Sequence, residues 1–248
     1  MTDVDQGRTT ALRRTSAGGG VADKLGNMYE LSWAVHHALR CLQDQRCSIT
    51  LEDLDPDLAQ GSEFTFVDEH GTVAVTQVKR QHSINDNWTV AALRSRGIFT
   101  AAAHHVMGGR EYHFMSMTPC GSLRVLSEWA RQSADVRQFM TRQLTEQVSP
   151  FFGELSASDT FGSEEAAWQV LRGMWFEVGD EQQLAKANAV LADAILEGGA
   201  GSLLAVAVGA VLLENLRHRL TRRELLEGLA RHGGARVALP GYSANRVG

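Results

Sequence analysis

The chain has 248 residues, of which 44% are hydrophobic and 21% are charged, the proportions of an ordinary globular protein with ample length for a core. Its formal net charge of −5 excludes a generally basic surface, so a site for phosphate must be a local patch. Three cysteines without metal-type spacing favour a reducing cytoplasm over a disulfide framework. The longest apolar run, residues 202–213, is about half of a membrane span, and the polar N-terminus is unlike a signal peptide, so we expect no membrane association.

The first part of the chain predicts a mixed α/β core. Residues 1–19 are polar and end in glycines, which is typical of a flexible lead-in. The predicted elements that follow are, in chain order, a helix over 21–44, strands over 47–51, 63–67 and 72–79, a helix over 88–107, a strand over 111–117, and helices over 122–133 and 134–147. This succession predicts a mixed sheet flanked by helices on both faces, built from residues 20–150.

The second part of the chain changes character. Residues 151–232 are predicted to form a mainly helical extension, and no period recurs that would indicate a repeat array. Its predicted elements are helices over 163–172, 180–197, 203–219 and 221–232, with a strand over 174–178 that could lie at a sheet edge. Residues 233–248 resemble a linker or tail.

Three polar side chains stand out in the predicted hairpin of residues 63–67 and 72–79. The second strand ends in Gln77-Val78-Lys79, and strand alternation places Gln77 and Lys79 on one face while Val78 points into the core. Glu63 opens the first strand, and pairing brings it alongside. A carboxylate, an amide and an ammonium on one face are costly unless they are paired or used. Together they are the groups needed to hold a hard divalent cation and activate water beside a phosphate.

The order of these residues resembles a known nuclease family. Tyr29-Glu30 on the first helix, then Gly61-Ser62-Glu63, then Gln77-Val78-Lys79, then a polar loop and Trp88 are similar to the restriction-endonuclease-like (PD-(D/E)xK) fold. More narrowly, they resemble the N-terminal nuclease domains of bacterial antiphage effectors, namely STAND/NACHT-type NTPases of the Avs kind and cyclic-nucleotide-activated DNA nucleases. The resemblance covers residues 18–117.

The resemblance implies a catalytic site for double-stranded DNA. It assigns the site to Glu30, Glu63, Gln77 and Lys79, with Mg²⁺ or Mn²⁺ held by Glu63, the backbone carbonyl of Val78 and Gln77. Lys79 would orient or deprotonate the attacking water and hold the scissile phosphate. A surface position for Glu30 and a simple ion pair between Glu63 and Lys79 are the alternatives.

Two features depart from the usual pattern. The strand carboxylate is Glu63 where the family usually has Asp, and Gln77 stands where Glu is common, which lowers the negative charge offered to a cation. Glu52 and Asp53 could also supply a carboxylate, although an acidic turn is a simpler interpretation of them.

The segment after the lysine carries candidate DNA contacts. Arg80, His82, Arg94 and Arg96 could form the local positive patch that neutralises DNA phosphate, or could be solvated charges on a loop and a helix.

The sequence therefore predicts a cytoplasmic, metal-dependent endonuclease, the effector domain of an antiphage defence protein. It would act as a homo-oligomer or with a fused or associated NTPase-sensor module. One alternative is a catalytically inactive nuclease-like domain that serves as a DNA- or protein-binding adaptor. A second is an interaction scaffold that acts through its C-terminal helices.

Overall fold

A computed structural model describes residues 21–80, 87–232 and 236–237. The predicted lead-in, His82 and most of the predicted tail lie outside the described residues. The helices are α1 (Val21–Gln43), α2 (Pro56–Ala59), α3 (Val90–Ser95), α4 (Ile98–Met107), α5 (Gly121–Gln132), α6 (Val136–Gln138), α7 (Ser149–Ser156), α8 (Glu164–Gly173), α9 (Glu181–Ile195), α10 (Gly201–Glu214) and α11 (Arg222–Arg231), with a π-helical turn at Phe139–Gln143. The strands are β1 (Ser48–Leu51), β2 (Phe64–Val67), β3 (Val73–Lys79), β4 (Glu111–Ser116), β5 (Met174–Val178), β6 (Leu196–Glu197), β7 (Leu220–Thr221) and β8 (Arg236–Val237).

Six strands form one open mixed sheet in the order β5-β4-β3-β2-β1-β7. The pairs β3–β4 and β4–β5 are parallel, and the others are antiparallel. The remaining strands, β6 and β8, form a separate antiparallel pair. The predicted mixed α/β class is confirmed, and so is the hairpin, since β2 pairs with β3 in the register Phe64↔Thr76 to Val67↔Val73.

The sheet is covered on both faces. Because side chains alternate along a strand, Val78 and Met115 pack with α1, α9, α10 and α11, whereas Val75 and Phe114 pack with α3, α4, α5, α7 and α8. The sequence analysis divides the chain near residue 150, and elements from both sides of that position share this sheet, since β5 and β7 form its two edges. None of the helices in the described part of the chain is both long and apolar enough to cross a membrane.

Several elements differ from the expected pattern. The predicted helix over 134–147 is only the three-residue helix α6 followed by the π-helical turn, and α7 lies where no helix is predicted. The predicted helix over 88–107 is two helices, α3 and α4, separated by a turn at Arg96 and Gly97. The predicted helix over 203–219 ends at Glu214, where the Asn215 side chain donates to the carbonyl of Val211 over 2.7 Å. Residues 215–219 are in neither a helix nor a strand, and β7 follows them and pairs with β1. Within this stretch the N–H of Arg217 donates to the carbonyl of Leu51 over 2.8 Å, so a contact with β1 takes the place of the expected helical turn.

Candidate functional site

The predicted acid, amide and amine meet at the end of β3. The backbone N–H of Glu63 donates to the carbonyl of Thr76 over 2.8 Å, which extends the hairpin one residue beyond β2 and fixes where the Glu63 side chain begins. Oε1 of Glu63 then accepts hydrogen bonds from Nε2 of Gln77 over 2.5 Å and from Nζ of Lys79 over 3.0 Å. One carboxylate oxygen is thus shared by two donors from the same face of β3.

Strand alternation explains why the two donors converge on this oxygen. Val78 lies between them and is fully buried in the core beside α1, whereas Gln77 and Lys79 point to the other side of the strand. Gln77 is only 6% exposed, so its polar amide needs a partner inside the protein, and Glu63 supplies it. The ion pair of Glu63 and Lys79 is about one third exposed on each side and therefore remains open to a ligand.

Glu30 joins this cluster from α1. It lines a cleft of about 310 Å³ together with Glu52 and Glu63, and apolar side chains form the rest of the wall. Partial burial and, second, the negative charge of Glu63 raise the pKa of Glu30 to about 7, while Lys79 acts in the opposite direction. Glu30 therefore interacts electrostatically with Glu63 and Lys79, and Gln77 joins them through its hydrogen bond to Glu63.

Binding of Mg²⁺ or Mn²⁺ by this group stays a prediction. Among the described residues, no group of three or more His, Cys, Asp and Glu side chains is arranged to hold a metal ion. Glu30 and Glu63 would instead have to bind it as a pair of carboxylates, with oxygen atoms of the kind that Mg²⁺ prefers. Burial is the main cause of the raised pKa of Glu30, so Glu30 would have to lose its proton to bind a cation near neutral pH.

Gln77 and Val78, the other two predicted metal ligands, differ in what the structure shows of them. Gln77 turns its amide N–H toward Glu63, so it acts here as a hydrogen-bond donor, and rotation of the amide would be needed to offer its oxygen. The predicted use of the Val78 backbone carbonyl stays a prediction.

Two residues without a predicted role hold the cluster in place. Gly61 has a φ of +62°, and a methyl group at its Cβ position would lie 2.7 Å from Cβ of Ala101 and 3.4 Å from Oε1 of Gln77. Its carbonyl accepts a hydrogen bond from the hydroxyl of the buried Tyr112 over 3.2 Å. A glycine two residues before a strand carboxylate was the available sequence signal for this close approach, but Tyr112 carried none.

The two acidic residues of the turn before β2, Glu52 and Asp53, point to different surroundings. Glu52 lines the cleft, and its N–H donates to the carbonyl of Glu63 over 3.1 Å. Asp53 instead accepts a hydrogen bond from Oγ1 of Thr65 over 3.1 Å. Of the two alternative carboxylates considered from the sequence, only Glu52 therefore belongs to the cleft.

The predicted DNA contacts are already engaged within the protein. Arg80 is 13% exposed and pairs with Glu181 at 3.0 Å, so it ties the end of β3 to α9. Arg94 binds the side chains of Asp159 and Thr160. Arg96 is exposed, and its guanidinium lies 5.0 Å from the centre of the Trp88 ring. The proposed contact of these three arginines with DNA stays a prediction, and His82 lies outside the described residues.

No protein-family model matches the sequence, and no curated protein is similar to it. Among solved structures, the Cap4 SAVED/CARF-domain containing receptor of Moraxella osloensis matches 84% of this chain with a TM-score of 0.52 at 8% identity. The Cap4 SAVED/CARF-domain containing receptor of Acinetobacter baumannii matches 83% with a TM-score of 0.51 at 10% identity, and a second structure of it, which contains the cyclic trinucleotide 3′3′3′-cAAA, gives the same values.

These matches show a shared fold at very low sequence identity. The chain spans only 46–47% of the length of the receptors. The restriction-endonuclease-like assignment therefore stays a prediction, and what the comparisons establish is that this chain has a fold found within the Cap4 receptors.

Proposed function

We propose that this chain is a metal-dependent endonuclease domain that cleaves double-stranded DNA and serves as the effector of an antiphage defence protein. The observation that carries the proposal is the single oxygen of Glu63 that binds both Gln77 and Lys79, at a cleft shared with Glu30. The fold shared with the Cap4 receptors supports an effector that responds to a signal, in a protein about twice as long as this chain.

The roles follow from the chemistry of each group. Glu30 and Glu63 would hold Mg²⁺ or Mn²⁺. When bound, the cation would stabilise negative charge on the phosphate oxygens and acidify water. Lys79 would place its ammonium against a phosphate oxygen and orient the attacking water, because its hydrogen bond to Glu63 holds the flexible side chain at the site. Gln77 would keep the Glu63 carboxylate in position.

Lys79 provides the sharpest test of this proposal. In a plasmid cleavage assay with Mg²⁺, Lys79→Ala and Glu63→Gln should each lower the rate about 100-fold or more, which is the usual effect of removing a group that stabilises charge in a transition state. Lys186→Ala is the matched control, since Lys186 is exposed on α9 and should be dispensable. Cleavage that persists in Lys79→Ala would show that the site is elsewhere.

A second candidate function is a catalytically inactive adaptor. It is favoured by one observation: Gln77 and Lys79 both donate to Glu63, so the cluster is satisfied without any ligand. An adaptor would bind DNA or a protein partner, and neither Mg²⁺ nor Mn²⁺ would yield cleavage products.

The partners are also proposals. We propose that the chain works as a homo-oligomer, or together with a fused or associated sensor module whose signal is a cyclic oligonucleotide. Mass measurement in solution with and without 3′3′3′-cAAA tests both at once. A monomer that is indifferent to the nucleotide would contradict them for this chain.

A further inference from the structure

A short segment between α10 and α11 concentrates positive charge. Residues 217–223 contain four arginines and one histidine and no acidic residue, in a protein whose net charge is −5. We call Arg217, His218, Arg219, Arg222 and Arg223 the basic segment. It includes β7, so its backbone is held at the edge of the main sheet by pairing with β1.

The basic segment begins at the rim of the acidic cleft, where Arg217 lies. It then runs along β1 away from the cleft, since Thr221 pairs with Ser48 at the other end of that strand. Arg217 directly follows Leu216, which lines the cleft, and its N–H donates to the carbonyl of Leu51, another lining residue, over 2.8 Å. Nε of Arg217 is 3.5 Å from Oε2 of Glu52, which also lines the cleft. The cleft with the proposed catalytic group thus has carboxylates in its wall and arginine at its edge.

Two of these arginines are far more exposed than Arg80, although Arg223 pairs with Glu224 and Glu227 on α11. The side chains of Arg217 and Arg223 are 58% and 78% exposed, whereas that of Arg80 is 13% exposed. An ion pair between two exposed side chains, such as that of Arg217 and Glu52, contributes little to stability, so an incoming anion can replace it.

The backbone of Arg217 supports a functional position. Its φ is +68°, in the left-handed region that residues other than glycine rarely adopt. Such a conformation costs on the order of 1 kcal/mol or more, and it persists where the surroundings fix it, often at ligand sites.

Resting on the function proposed above, we infer that the basic segment binds the phosphate backbone of a nucleic acid and holds it across the cleft. Guanidinium groups bind phosphate in a bidentate manner. Because the protein as a whole is acidic, a local basic patch is needed to attract a polyanion. A concave cleft beside the patch suits a strand of backbone, whereas a flat membrane surface could not reach the carboxylates inside.

The test is the salt dependence of DNA binding. A fluorescent duplex is titrated with the protein in EDTA, so that no cleavage occurs, and anisotropy is measured at several salt concentrations. For Arg217→Gln combined with Arg223→Gln, we expect about tenfold weaker binding, and a slope of log K against log salt that is smaller by roughly 0.9 for each lost contact. Arg124→Gln is the matched control for Arg217→Gln, since Arg124 is also 58% exposed and also pairs with one glutamate, but lies on α5 against the other face of the sheet.

The outcomes separate this inference from the proposed nuclease activity. Loss of binding in the double variant, with unchanged thermal unfolding, supports the inference even if no form of the protein cleaves DNA. Equal binding and equal salt slopes for the wild type, the double variant and the control would overturn it, even if plasmid cleavage is observed. It would also be overturned if the segment bound anionic vesicles or 3′3′3′-cAAA while the wild type failed to bind the duplex.

Discussion

Replacement of Gly61 by alanine should reveal how tightly the site is built. The φ of Gly61 is +62°, and a left-handed conformation costs an alanine roughly 1–2 kcal/mol. The new methyl group would also lie 2.7 Å from Cβ of Ala101, which demands a shift of helix α4 or of the turn, and such overpacking typically costs about 1–3 kcal/mol. We therefore expect Gly61→Ala to lower the free energy of unfolding by about 2–5 kcal/mol.

Gly71 offers a control that separates the two contributions. Its φ is +84°, but a methyl group there would meet no atom within 4 Å. Gly71→Ala should therefore cost only the backbone part, about 1–2 kcal/mol. Urea denaturation of the two variants and the wild type measures the difference, and in a chain of this size each kcal/mol lowers the melting temperature by about 2–4 °C.

The comparison also tests the architecture of the proposed site. The methyl group at Gly61 would lie 3.4 Å from Oε1 of Gln77, so Gly61→Ala should disturb the contact of Gln77 with Glu63 and lower any cleavage activity, while Gly71→Ala should not. If the two variants lost the same stability, the close approach of Gly61 to Ala101 would be refuted, and with it the reasoning that this turn fixes Glu63.

Three further predictions concern single side chains. The pKa of Glu30 is about 7 in the folded protein, above its ordinary value of 4.5, so the stability of the wild type falls as the pH rises from 4.5 to about 7. In thermal unfolding, Glu30→Gln should therefore equal the wild type near pH 4.5 and be more stable than the wild type at about pH 8. At about pH 8, added Mg²⁺ should stabilise only the wild type. Burial alone would lower the pKa of His113, but the carboxylates of Glu111 at 3.0 Å and Glu177 at 3.3 Å outweigh burial, so the pKa is raised. His113→Gln should therefore cost about 1–2 kcal/mol in urea denaturation, most at mildly acidic pH and progressively less above neutrality. A loss of stability that does not depend on pH would contradict the ion pairs. Thr221→Ala removes the capping box of α11 and should cost about 1 kcal/mol in the same measurement, with Thr221→Ser close to the wild type.

The sequence contained enough local information for the hairpin and its chemistry. Two β-rich runs flank a turn that ends in Gly71, and the parity of a strand places Gln77 and Lys79 on one side whatever surrounds them. The meeting of both with Glu63 therefore followed from pairing alone. The position of Glu30 could not be predicted in the same way, because a helical pattern shows which side of α1 is apolar but not which strand end that side faces.

The rest of the site depends on contacts that leave no local pattern. The two residues of β7 are a strand only because β1 lies beside them. The partners of Arg80 and Arg94 are Glu181 and Asp159, which lie far along the chain, so a charge count could not show that these arginines are engaged. The basic segment is visible in the sequence as a run of arginines, but only the bond of the Arg217 N–H to the carbonyl of Leu51 shows that it begins at the cleft.

The pairing of β7 with β1 has a consequence for biosynthesis. Arg219 donates to the hydroxyl of Ser48 over 2.9 Å across 171 positions of the chain, so the β1 edge of the sheet is covered only when nearly all of the described residues have been translated. Until then β1 is an open strand edge, and α1 lacks its apolar partners α9 and α10. Contacts of such high sequence separation slow folding. A nascent chain therefore completes this edge of the sheet last, after α9 and α10 have been translated.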